Sequence, residues 1–410
     1  MAKIAILGFG TVGGGVLEVL QRNANSIARR AGQPIEVKYI LDIRDFSAHP
    51  QAQLFVNNID VILSDPEVKT VVETIGGATH AYYFVKQALE SGRSVATSNK
   101  ELVATHGAEL LRIAKEKGVC FLFEASVGGG TPIITPMHQC LAANLISEIA
   151  GIVNGTTNFM LTKMEKENMG FDEALKIAQS LGYAETIDPS ADVDGIDAGR
   201  KIAILASLAF GNHVYPQNVP MEGIRNITVA DIHNAALAGG VIKLIAHAAQ
   251  NEETGAVNCG VEPMVVNKAN QLAGVEDVFN AVLLKGDMLG DVVFYGKGAG
   301  KLPTASAVVA DVIDSVRTGT KIHDSLFWRD SQPFEGLLTD TAAYAYYMRV
   351  TGAPAANVMG VLNAGAKLLC EDENGVAVVT AALTPQQLQQ TKTALTAVNA
   401  AVALALKIKE

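Results

Sequence analysis

The sequence has few aromatic residues and fewer basic than acidic residues. Each of these shortages argues against a class of protein. Aromatic residues make up 6% of the 410 residues, and glycine occurs 38 times. This composition fits an α/β enzyme better than an all-β or a disordered chain. The formal net charge of −10 argues against a nucleic-acid partner, because proteins that bind nucleic acids normally present a basic surface.

Cysteine is also scarce, and long apolar runs are missing. Cys120, Cys140, Cys259 and Cys370 stand without paired spacing. That pattern predicts neither a disulfide framework nor a zinc site, and it indicates a reducing compartment. No apolar run reaches membrane-spanning length, and residues 1–10 are too short and too rich in glycine for a signal peptide. We therefore expect a soluble cytoplasmic protein without a membrane partner.

A glycine fingerprint opens the chain. It follows the strand-like segment Lys3–Leu7 and precedes an amphipathic helical segment, which is the context that a dinucleotide-binding motif requires. Gly8 permits a tight turn, Gly10 lets the backbone approach a pyrophosphate, and Gly13 allows close packing of helix on strand. A glycine-rich turn without a ligand is the alternative. The predicted cofactor residues of this motif are Gly8, Phe9, Gly10, Thr11, Val12 and Gly13.

Strand-like and helical segments alternate as far as Val119–Phe123, with Asp60–Leu63 interpreted as one of the strands. Such alternation predicts an α/β fold with a Rossmann-type, doubly wound parallel sheet. Ligands of these sheets bind at the C-terminal ends of the strands, so Thr74–Gly77 and Ser98–Lys100 are expected near the cofactor. The alternative for Lys100 is a solvated lysine beside a helix start.

The length predicts two or three domains. We expect an NAD(P)-binding Rossmann domain over residues 1–133, completed by about 298–320, and an α+β catalytic and dimerisation domain over 134–297. A linker at 321–340 and a small ferredoxin-like domain at 341–410 follow.

Coenzyme choice is expected to depend on Leu41–Asp45, at the end of the second strand. An acid there hydrogen-bonds the ribose hydroxyls of NAD, whereas an arginine accommodates the 2′-phosphate of NADP. Both are present, as Asp42 and Arg44. Pairing of Arg44 with Asp45 is the alternative interpretation. We expect NADP(H) to be preferred over NAD(H).

The segment Asp192–Lys201 combines several acids with a lysine at the start of an apolar helix. Helical spacing places Asp197 and Lys201 on one face, and the apolar residues that follow on all sides predict burial. A surface ion pair is the alternative. A lysine beside a carboxylate in a dry setting is a candidate proton donor or acceptor.

Two loops offer further polar groups. Glu124–Pro132 is rich in glycine, so its carbonyl oxygens and the Glu124 carboxylate suit a hard cation, although a domain-crossing linker is equally compatible with the composition. Asn154–Asn158 follows a strand-like segment and suits a small polar substrate, although a plain turn would look similar.

Taken together, these segments carry a family resemblance. The fingerprint at residues 8–13 is followed in order by Ser98–Glu101, Glu124–Val127, Asn154–Asn158, Gly182–Glu185, Asp192–Lys201 and Gly296–Ala305. Over roughly the first 320 residues the chain resembles homoserine dehydrogenase. The resemblance implies NAD(P)-dependent interconversion of L-homoserine and L-aspartate 4-semialdehyde, in threonine, methionine and isoleucine biosynthesis.

The resemblance also implies roles for individual residues. Lys201 matches the proton-transferring lysine and Asp197 its partner, which also contacts substrate. Lys100 matches a catalytic lysine near cofactor and substrate. The implied substrate residues are Thr156, Glu185, Asp192 and Asp197. The implied cofactor residues are Lys100, Gly182 and Gly298, which join Arg44 and Thr74 from the strand ends. The implied ligands of a structural sodium ion are Glu124, Val127, Gly129 and Thr131.

The last 70 residues show a β-α-β-β-α-β pattern that resembles an ACT-type module. Pro354 is followed by Ala355, where the ligand loop of that module usually has glycine. Because glycine lets the backbone approach an amino-acid effector, we do not expect threonine inhibition of the usual kind. A structural or dimerising role is the alternative, within a homodimer or homotetramer.

Two other functions deserve comparison. A semialdehyde dehydrogenase that forms a thioester needs an activated cysteine, and none of the four stands in a polar glycine-rich turn. A non-catalytic NADPH-sensing or amino-acid-binding protein would have no need of the Asp197 and Lys201 pair.

Overall fold

The computed structural model describes residues 1–318, 326–330, 340–362 and 364–410. The chain forms two compact units. Unit 1 comprises Met1–Ile146, Ala203–Asn218 and Lys285–Phe334, and unit 2 comprises Ser147–Ile202, Val219–Leu284 and Glu335–Glu410. Most of the predicted linker at 321–340 lies outside the described residues. In its described part, Trp328 is buried, and its ring meets that of Phe123 edge-on at 5.5 Å.

The strands, in chain order, are β1 (Ala2–Leu7), β2 (Ile35–Leu41), β3 (Phe55–Val56), β4 (Val68–Glu73), β5 (Ser94–Thr97), β6 (Phe121–Leu122), β7 (Ile146–Ile152), β8 (Gly240–Gln250), β9 (Val257–Asn267), β10 (Phe279–Gly286), β11 (Gly290–Lys297), β12 (Tyr346–Thr351), β13 (Lys367–Asp372), β14 (Gly375–Val379) and β15 (Ala401–Lys409).

The helices are α1 (Thr11–Arg22), α2 (Ala24–Ala31), α3 (Ile59–Leu63), α4 (Thr79–Glu90), α5 (Lys100–Lys117), α6 (Gly155–Glu167), α7 (Phe171–Ser180), α8 (Ser190–Val193), α9 (Ile196–Phe210), α10 (Val229–Leu237), α11 (Lys301–Thr318), α12 (Ala355–Val361) and α13 (Pro385–Thr396). Among the described residues none of these helices is long and apolar enough to cross a membrane.

Unit 1 contains the parallel sheet that the sequence predicted, with the strand order β3-β2-β1-β4-β5-β6. The fold class is therefore confirmed. Its core includes apolar residues of β1 and α1 and extends to Val308 and Val312 of α11. The close approach of α11 depends on Gly15, because a side chain there would press on the backbone of Lys301 and on Ala305. Helix α11 thus packs into the core of the parallel sheet.

One predicted strand of this region is wrong. Asp60–Leu63 lies in helix α3, which begins after Asn58. The Asn58 side chain accepts a hydrogen bond from the backbone N–H of Asp60 at 2.9 Å and caps the helix. The apolar residues Val61, Ile62 and Leu63 have the composition of a short strand, and this cap decides the outcome in favour of a helical turn.

In unit 2 the strands follow the order β10-β7-β8-β9-β15-β12-β14-β13. β7, β8 and β9 pair antiparallel. The C-terminal elements β12 to β15 and α12 to α13 have the β-α-β-β-α-β order, and β15 pairs in parallel with β9, Lys407 opposite Met264. The C-terminal strands therefore continue the larger sheet of unit 2.

A partly buried acid lies beside this strand pairing. Glu262 of β9 accepts hydrogen bonds from His247 of β8 at 3.0 Å and from Lys407 of β15 at 2.8 Å. Lys407 also donates to Asp340 at 2.8 Å. Although burial raises the pKa of Glu262, the hydrogen bond from His247 and the charge of Lys407 outweigh it, and the pKa lies below its usual value. The C-terminal strand is thus joined to the sheet by charge as well as by backbone pairing.

Candidate active site

Lys201 and Asp197 form a buried ion pair in the first half of α9. The Lys201 ammonium Nζ donates to Asp197 Oδ2 at 2.7 Å and to the carbonyl oxygen of Val153 at 2.7 Å. The two residues are only 7% and 5% exposed. The helix starts after Gly195, and Gly199 gives Met221 room to pack against it, since a side chain there would collide with that methionine. Such a lysine is held in one position with little water around it.

Asn154 connects the acids of this segment; the sequence placed it in a loop suited to a polar substrate but predicted no role for this residue itself. Its side-chain nitrogen donates to Asp192 Oδ1 at 2.7 Å and to Asp197 Oδ2 at 3.0 Å. Its side-chain oxygen accepts the N–H of Thr157 at 2.9 Å, which caps α6. An asparagine directly before a helix is a recognisable cap signal in the sequence. The bridge to the two aspartates has no local signal.

The remaining predicted substrate residues lie on the neighbouring loops of unit 2. Thr156, in the first turn of α6, donates its hydroxyl to the carbonyl of Tyr183 at 2.8 Å. Gly182 precedes that tyrosine after the end of α7. Glu185 is exposed, and its backbone carbonyl accepts from the Gln179 side chain at 2.9 Å. Asp192, Asp197 and Lys201 are therefore linked by short hydrogen bonds through Asn154 and Asp197, whereas Thr156 bonds to the loop at Tyr183 and Glu185 is exposed.

The glycine turn lies between β1 and α1 in unit 1. Gly8 has φ of 87°, a conformation that favours glycine, and a side chain at Gly13 would collide with the carbonyl of Gly8. Thr74, at the end of β4, donates its hydroxyl to that same carbonyl at 2.8 Å. Gly10 has open space around the position of a Cβ. The turn is thus closed on the protein side and open where a phosphate would approach the start of α1.

Asp42 and Arg44 form a close pair at the end of β2. Two nitrogens of the Arg44 guanidinium donate to the Asp42 carboxylate at 2.9 and 2.8 Å, and the backbone N–H of Phe9 donates to it at 2.7 Å. The hydrogen bond from Arg44 holds the pKa of Asp42 well below its usual range. The guanidinium also lies over the ring of Phe46, 5.1 Å from its centroid. The alternative pairing of Arg44 with Asp45 is wrong, since Asp45 instead accepts the N–H of Ser47.

Lys100 is the first residue of α5. The preceding residue, Asn99, caps this helix by accepting the N–H of Leu102 at 3.1 Å. Lys100 itself is partly buried. It follows the end of β5, on the edge of the sheet to which the glycine turn also belongs.

Glu124 organises the segment that follows β6. Its carboxylate accepts three backbone N–H groups, those of Ile133 at 2.6 Å, Ile134 at 3.0 Å and Thr135 at 2.6 Å. The backbone N–H of Glu124 donates to Asp311 of α11 at 2.9 Å. Asp311 is fully buried, and burial raises its pKa well above the usual value. The sequence suggested a cation ligand at Glu124; in the structure its carboxylate holds the backbone that leads into the helical turn Pro136–Cys140.

Val127, Gly129 and Thr131 form the tight loop that follows. The Thr131 N–H donates to the carbonyl of Gly128 at 2.8 Å. A side chain at Gly129 would collide with the carbonyl of Gly298, so residues 128–131 lie against the segment between β11 and α11. Among the described residues no group of three or more His, Cys, Asp or Glu side chains is placed to hold a metal ion. A cation at this loop would therefore depend mainly on backbone carbonyls.

Comparison with protein families identifies both parts of the chain that carry these residues. A family model described as "Homoserine dehydrogenase, NAD binding domain" matches residues 8–124. A second model, described as "Homoserine dehydrogenase", matches residues 132–313. The first range contains the glycine turn and Lys100, and the second contains Asn154, Asp197 and Lys201.

Individual proteins agree with the family models. The chain is 46% identical over 321 residues to a homoserine dehydrogenase of Synechocystis sp.. The aligned region covers 77% of this chain and 73% of that protein. It is similar to the crystal structure of a homoserine dehydrogenase from Thiobacillus denitrificans, with a TM-score of 0.88, 35% identity and coverage of 100% and 98% of the two chains. A hyperthermophilic archaeal homoserine dehydrogenase, solved in complex with NADPH, has a TM-score of 0.65, 31% identity and coverage of 77% and 97%.

Proposed function

This chain belongs to the homoserine dehydrogenase family, and we propose that Lys201 transfers the proton in its reaction. The protein is an oxidoreductase that acts on homoserine with a nicotinamide cofactor. The observation that carries the proposal is the buried contact of Lys201 with Asp197, at 2.7 Å. A lysine placed in this way exchanges a proton with a substrate oxygen without competition from bulk water.

The reaction needs one hydride and one proton to move. In the oxidation of L-homoserine the nicotinamide cofactor supplies the hydride acceptor, and the hydroxyl proton passes to the neutral amine of Lys201. In the reduction of L-aspartate 4-semialdehyde the Lys201 ammonium stabilises the negative charge that develops on the aldehyde oxygen and then donates its proton there. Because oxidation releases a proton and needs the neutral lysine, alkaline pH favours it.

Substrate orientation is assigned to the acids and the hydroxyl around Lys201. The substrate carries an ammonium group, which carboxylates attract. Asp192 and Asp197 are linked by Asn154 at 2.7 and 3.0 Å, so their relative placement is maintained. Glu185 and Thr156 lie on the loops beside them. We assign the amine to this set of acids, with Asp197 serving also to orient Lys201.

The coenzyme is assigned to the glycine turn and to the ends of β2, β4 and β5 in unit 1. The start of α1 would face the pyrophosphate with unpaired N–H groups. The Asp42 carboxylate is already engaged by Phe9 and Arg44, so it is a poor acceptor for a ribose hydroxyl. Its charge is also balanced by Arg44, which removes a repulsion against a 2′-phosphate. These contacts support a preference for NADP(H).

A sodium ion is assigned to the loop after Glu124. The donors would be one Glu124 oxygen and the carbonyls of Val127, Gly129 and Thr131, all hard oxygen ligands. Three amides already occupy the Glu124 carboxylate, which offers about four acceptor positions, so about one position fits a cation. Such an ion would stiffen the segment that leads out of the nucleotide-binding sheet.

Assembly and location complete the proposal. We expect a homodimer or homotetramer, in keeping with the family resemblance. We also expect residues 341–410, with their ferredoxin-like order of elements, to stabilise the larger sheet. All four cysteines are free thiols, which supports residence in the reducing cytoplasm.

The assignment of Lys201 can be tested by kinetics of Lys201→Ala. We expect kcat for NADP-dependent oxidation of L-homoserine to fall by about 10²- to 10⁴-fold, the usual contribution of a general acid or base. The dissociation constant for NADPH should stay as in the wild type, because Lys201 has no assigned coenzyme contact.

The matched control is Lys176→Ala, which removes an exposed lysine from α7 of the same unit. Its kcat should equal that of the wild type. Undiminished turnover in Lys201→Ala would disprove the role assigned to this lysine, and an absence of turnover in the wild type would disprove the proposed mechanism as a whole.

A further inference from the structure

Glu73 is a fully buried acid at the C-terminal end of β4, and the proposed mechanism does not use it. Its relative exposure is 0%. Burial of a carboxyl group is costly unless its oxygens receive hydrogen bonds. Burial accordingly raises the pKa of Glu73, against the opposing effect of its hydrogen bonds. An acid retained in such a place requires a structural or a functional reason.

Within the described part of the chain, the hydrogen-bond partners of the Glu73 carboxyl group are donors. Oε1 accepts the N–H groups of Ile75 at 2.7 Å and of Gly76 at 3.4 Å. Oε2 accepts the hydroxyl of Thr97, its partner in the register of β4 and β5, at 2.6 Å. The Asn99 side chain is a further hydrogen-bond partner that lowers the pKa. This surrounding set of donors suits a carboxylate acceptor.

The first arm of the network sets the turn after β4. A peptide group is planar, with its N–H and C=O pointing in opposite directions. Since the N–H groups of Ile75 and Gly76 point inward to Glu73, the carbonyls of Thr74 and Ile75 point away from it. The Thr74 carbonyl lies 2.9 Å from the position of a Cβ on Gly8, so it faces the glycine turn.

The second arm sets the start of α5. The Thr97 hydroxyl that donates to Glu73 also accepts the N–H of Asn99 at 2.9 Å. Asn99 caps α5 through Leu102 and donates to the carbonyl of Gly77 at 2.7 Å. Lys100 follows directly on the chain. One carboxylate thus connects the turn Thr74–Gly77 with the first residues of α5.

The order of the strands indicates which part of the coenzyme this network faces. Arg44 follows β2, the glycine turn follows β1, and the Glu73 network follows β4 and β5, in the sheet order β2-β1-β4-β5. If the adenosine end is at β2 and the pyrophosphate at β1, as proposed above, the nicotinamide end lies over β4 and β5. The Ile75 carbonyl, which points away from Glu73, is an acceptor suited to the carboxamide N–H groups of a nicotinamide.

We propose that Glu73 is a positioning residue for the nicotinamide half of the coenzyme, because its buried carboxylate fixes the turn Thr74–Gly77 and the start of α5 relative to each other. The inference rests on the coenzyme placement proposed above. It predicts that loss of the carboxylate disturbs recognition of the nicotinamide half and leaves recognition of the adenosine half intact.

The test compares two ligands on the full chain carrying Glu73→Gln. The glutamine side chain has the size of glutamate, but its amide N–H groups would face the hydrogen-bond donors that surround Glu73. We expect the dissociation constant for NADPH to rise roughly tenfold, as for a disturbed buried hydrogen-bond site. Adenosine 2′,5′-bisphosphate, which lacks the nicotinamide and its ribose, should bind as it does to the wild type.

Two further variants separate positioning from folding. Thr97→Ser keeps the hydroxyl and should bind NADPH like the wild type. Thr97→Val should lower the affinity for NADPH and leave the affinity for adenosine 2′,5′-bisphosphate unchanged. Asp65→Asn removes a hydrogen-bonded acid near the opposite end of β4 and should leave the ratio of the two affinities unchanged.

Three results would overturn the inference. An equal loss of affinity for both ligands in Glu73→Gln would assign the residue to folding alone. Wild-type affinity for NADPH in Glu73→Gln or in Thr97→Val would show that Glu73 does not position the nicotinamide half. A wild-type protein that bound neither ligand would instead refute the coenzyme placement on which the inference rests. The proton-transfer role of Lys201 is tested separately by turnover.

Discussion

The side-chain nitrogen of Asn154 lies 3.0 Å from Oδ2 of Asp197, the same oxygen that accepts the Lys201 ammonium at 2.7 Å. One carboxylate oxygen thus receives both a lysine and an amide. Because the backbone of Asn154 is anchored at the start of α6, the amide fixes Asp197, and through it Lys201, against rotation. The position of the proton-transferring group therefore depends on a residue that need not touch the substrate.

The first prediction concerns this bridge. Asn154→Asp keeps an oxygen that can cap α6 but replaces the donor nitrogen by a third carboxylate. We expect kcat/KM for L-homoserine to fall by about 10- to 100-fold, because a buried donor is replaced by a repelling acceptor. Steady-state kinetics at fixed NADP gives the measurement.

Stability and coenzyme binding supply the controls for that variant. The affinity for NADPH should remain close to that of the wild type, whereas the melting temperature should fall moderately, because a third carboxylate is buried beside Asp192 and Asp197 although the helix cap survives. Asn154→Ala should lose both the cap and the bridge, and so should lower the melting temperature as well as kcat/KM. An Asn154→Asp enzyme with normal kcat/KM would refute the positioning role.

The second prediction concerns coenzyme choice. Arg44→Ala removes the guanidinium that occupies Asp42 and lies over Phe46. The freed carboxylate can then accept ribose hydroxyls and repels a 2′-phosphate. We expect KM for NADP to rise about tenfold, as for the loss of a charge-assisted hydrogen bond, while KM for NAD stays constant or falls.

Arg30→Ala provides a control for overall charge, because it removes an exposed arginine of α2 in the same unit. It should leave the ratio of the two KM values unchanged. If Arg44→Ala had the same ratio as the wild type, the assignment of coenzyme preference to this pair would be wrong.

The third prediction concerns acid stability. The pKa of Glu262 is lower in the folded protein than its usual value, so its ionised form stabilises the fold above the unfolded pKa of about 4.3. This stabilisation is lost as the pH falls through the lower, folded pKa. Glu262→Gln should therefore lower stability by about 1–3 kcal/mol at pH 7, the range for a partly buried pair, and should reduce the loss of stability on acidification.

Urea unfolding at pH 7 and in the acid range measures both effects. Glu36→Gln is the matched control, because it removes a more exposed pairing with Lys3 and should change stability by less than about 1 kcal/mol. Identical pH dependence of Glu262→Gln and the wild type would show that this partly buried acid does not contribute to acid stability.

Several features of the molecule follow from local sequence. The glycine fingerprint lies in a turn between a strand and a helix, as its spacing predicts, because the positive φ of Gly8 belongs to the turn itself and Gly13 is constrained by the carbonyl of Gly8, five residues away. Asp197 and Lys201 meet because residues four apart share a face of any helix. The alternation of strand-like and helical segments was sufficient to predict the parallel sheet, although the segment that forms α3 was predicted as a strand.

Other features depend on residues that are distant in sequence. The partner of Arg44 was ambiguous because two aspartates lie within two positions of it, and the backbone path after β2 decides for Asp42. The amides bound by Glu124 lie nine to eleven residues away. The continuation of the sheet from β9 into β15 joins segments with no common pattern.

The sequence alone therefore determined the family, the parallel sheet and the pairing of Asp197 with Lys201, since these depend on motifs or on spacing along one helix. Only the tertiary structure decided that Asn154 joins Asp192 to Asp197 and that Glu73 joins two strand ends. A hydrogen bond between distant segments exists only where the fold brings donor and acceptor within about 3 Å, and spacing along the chain does not encode that distance.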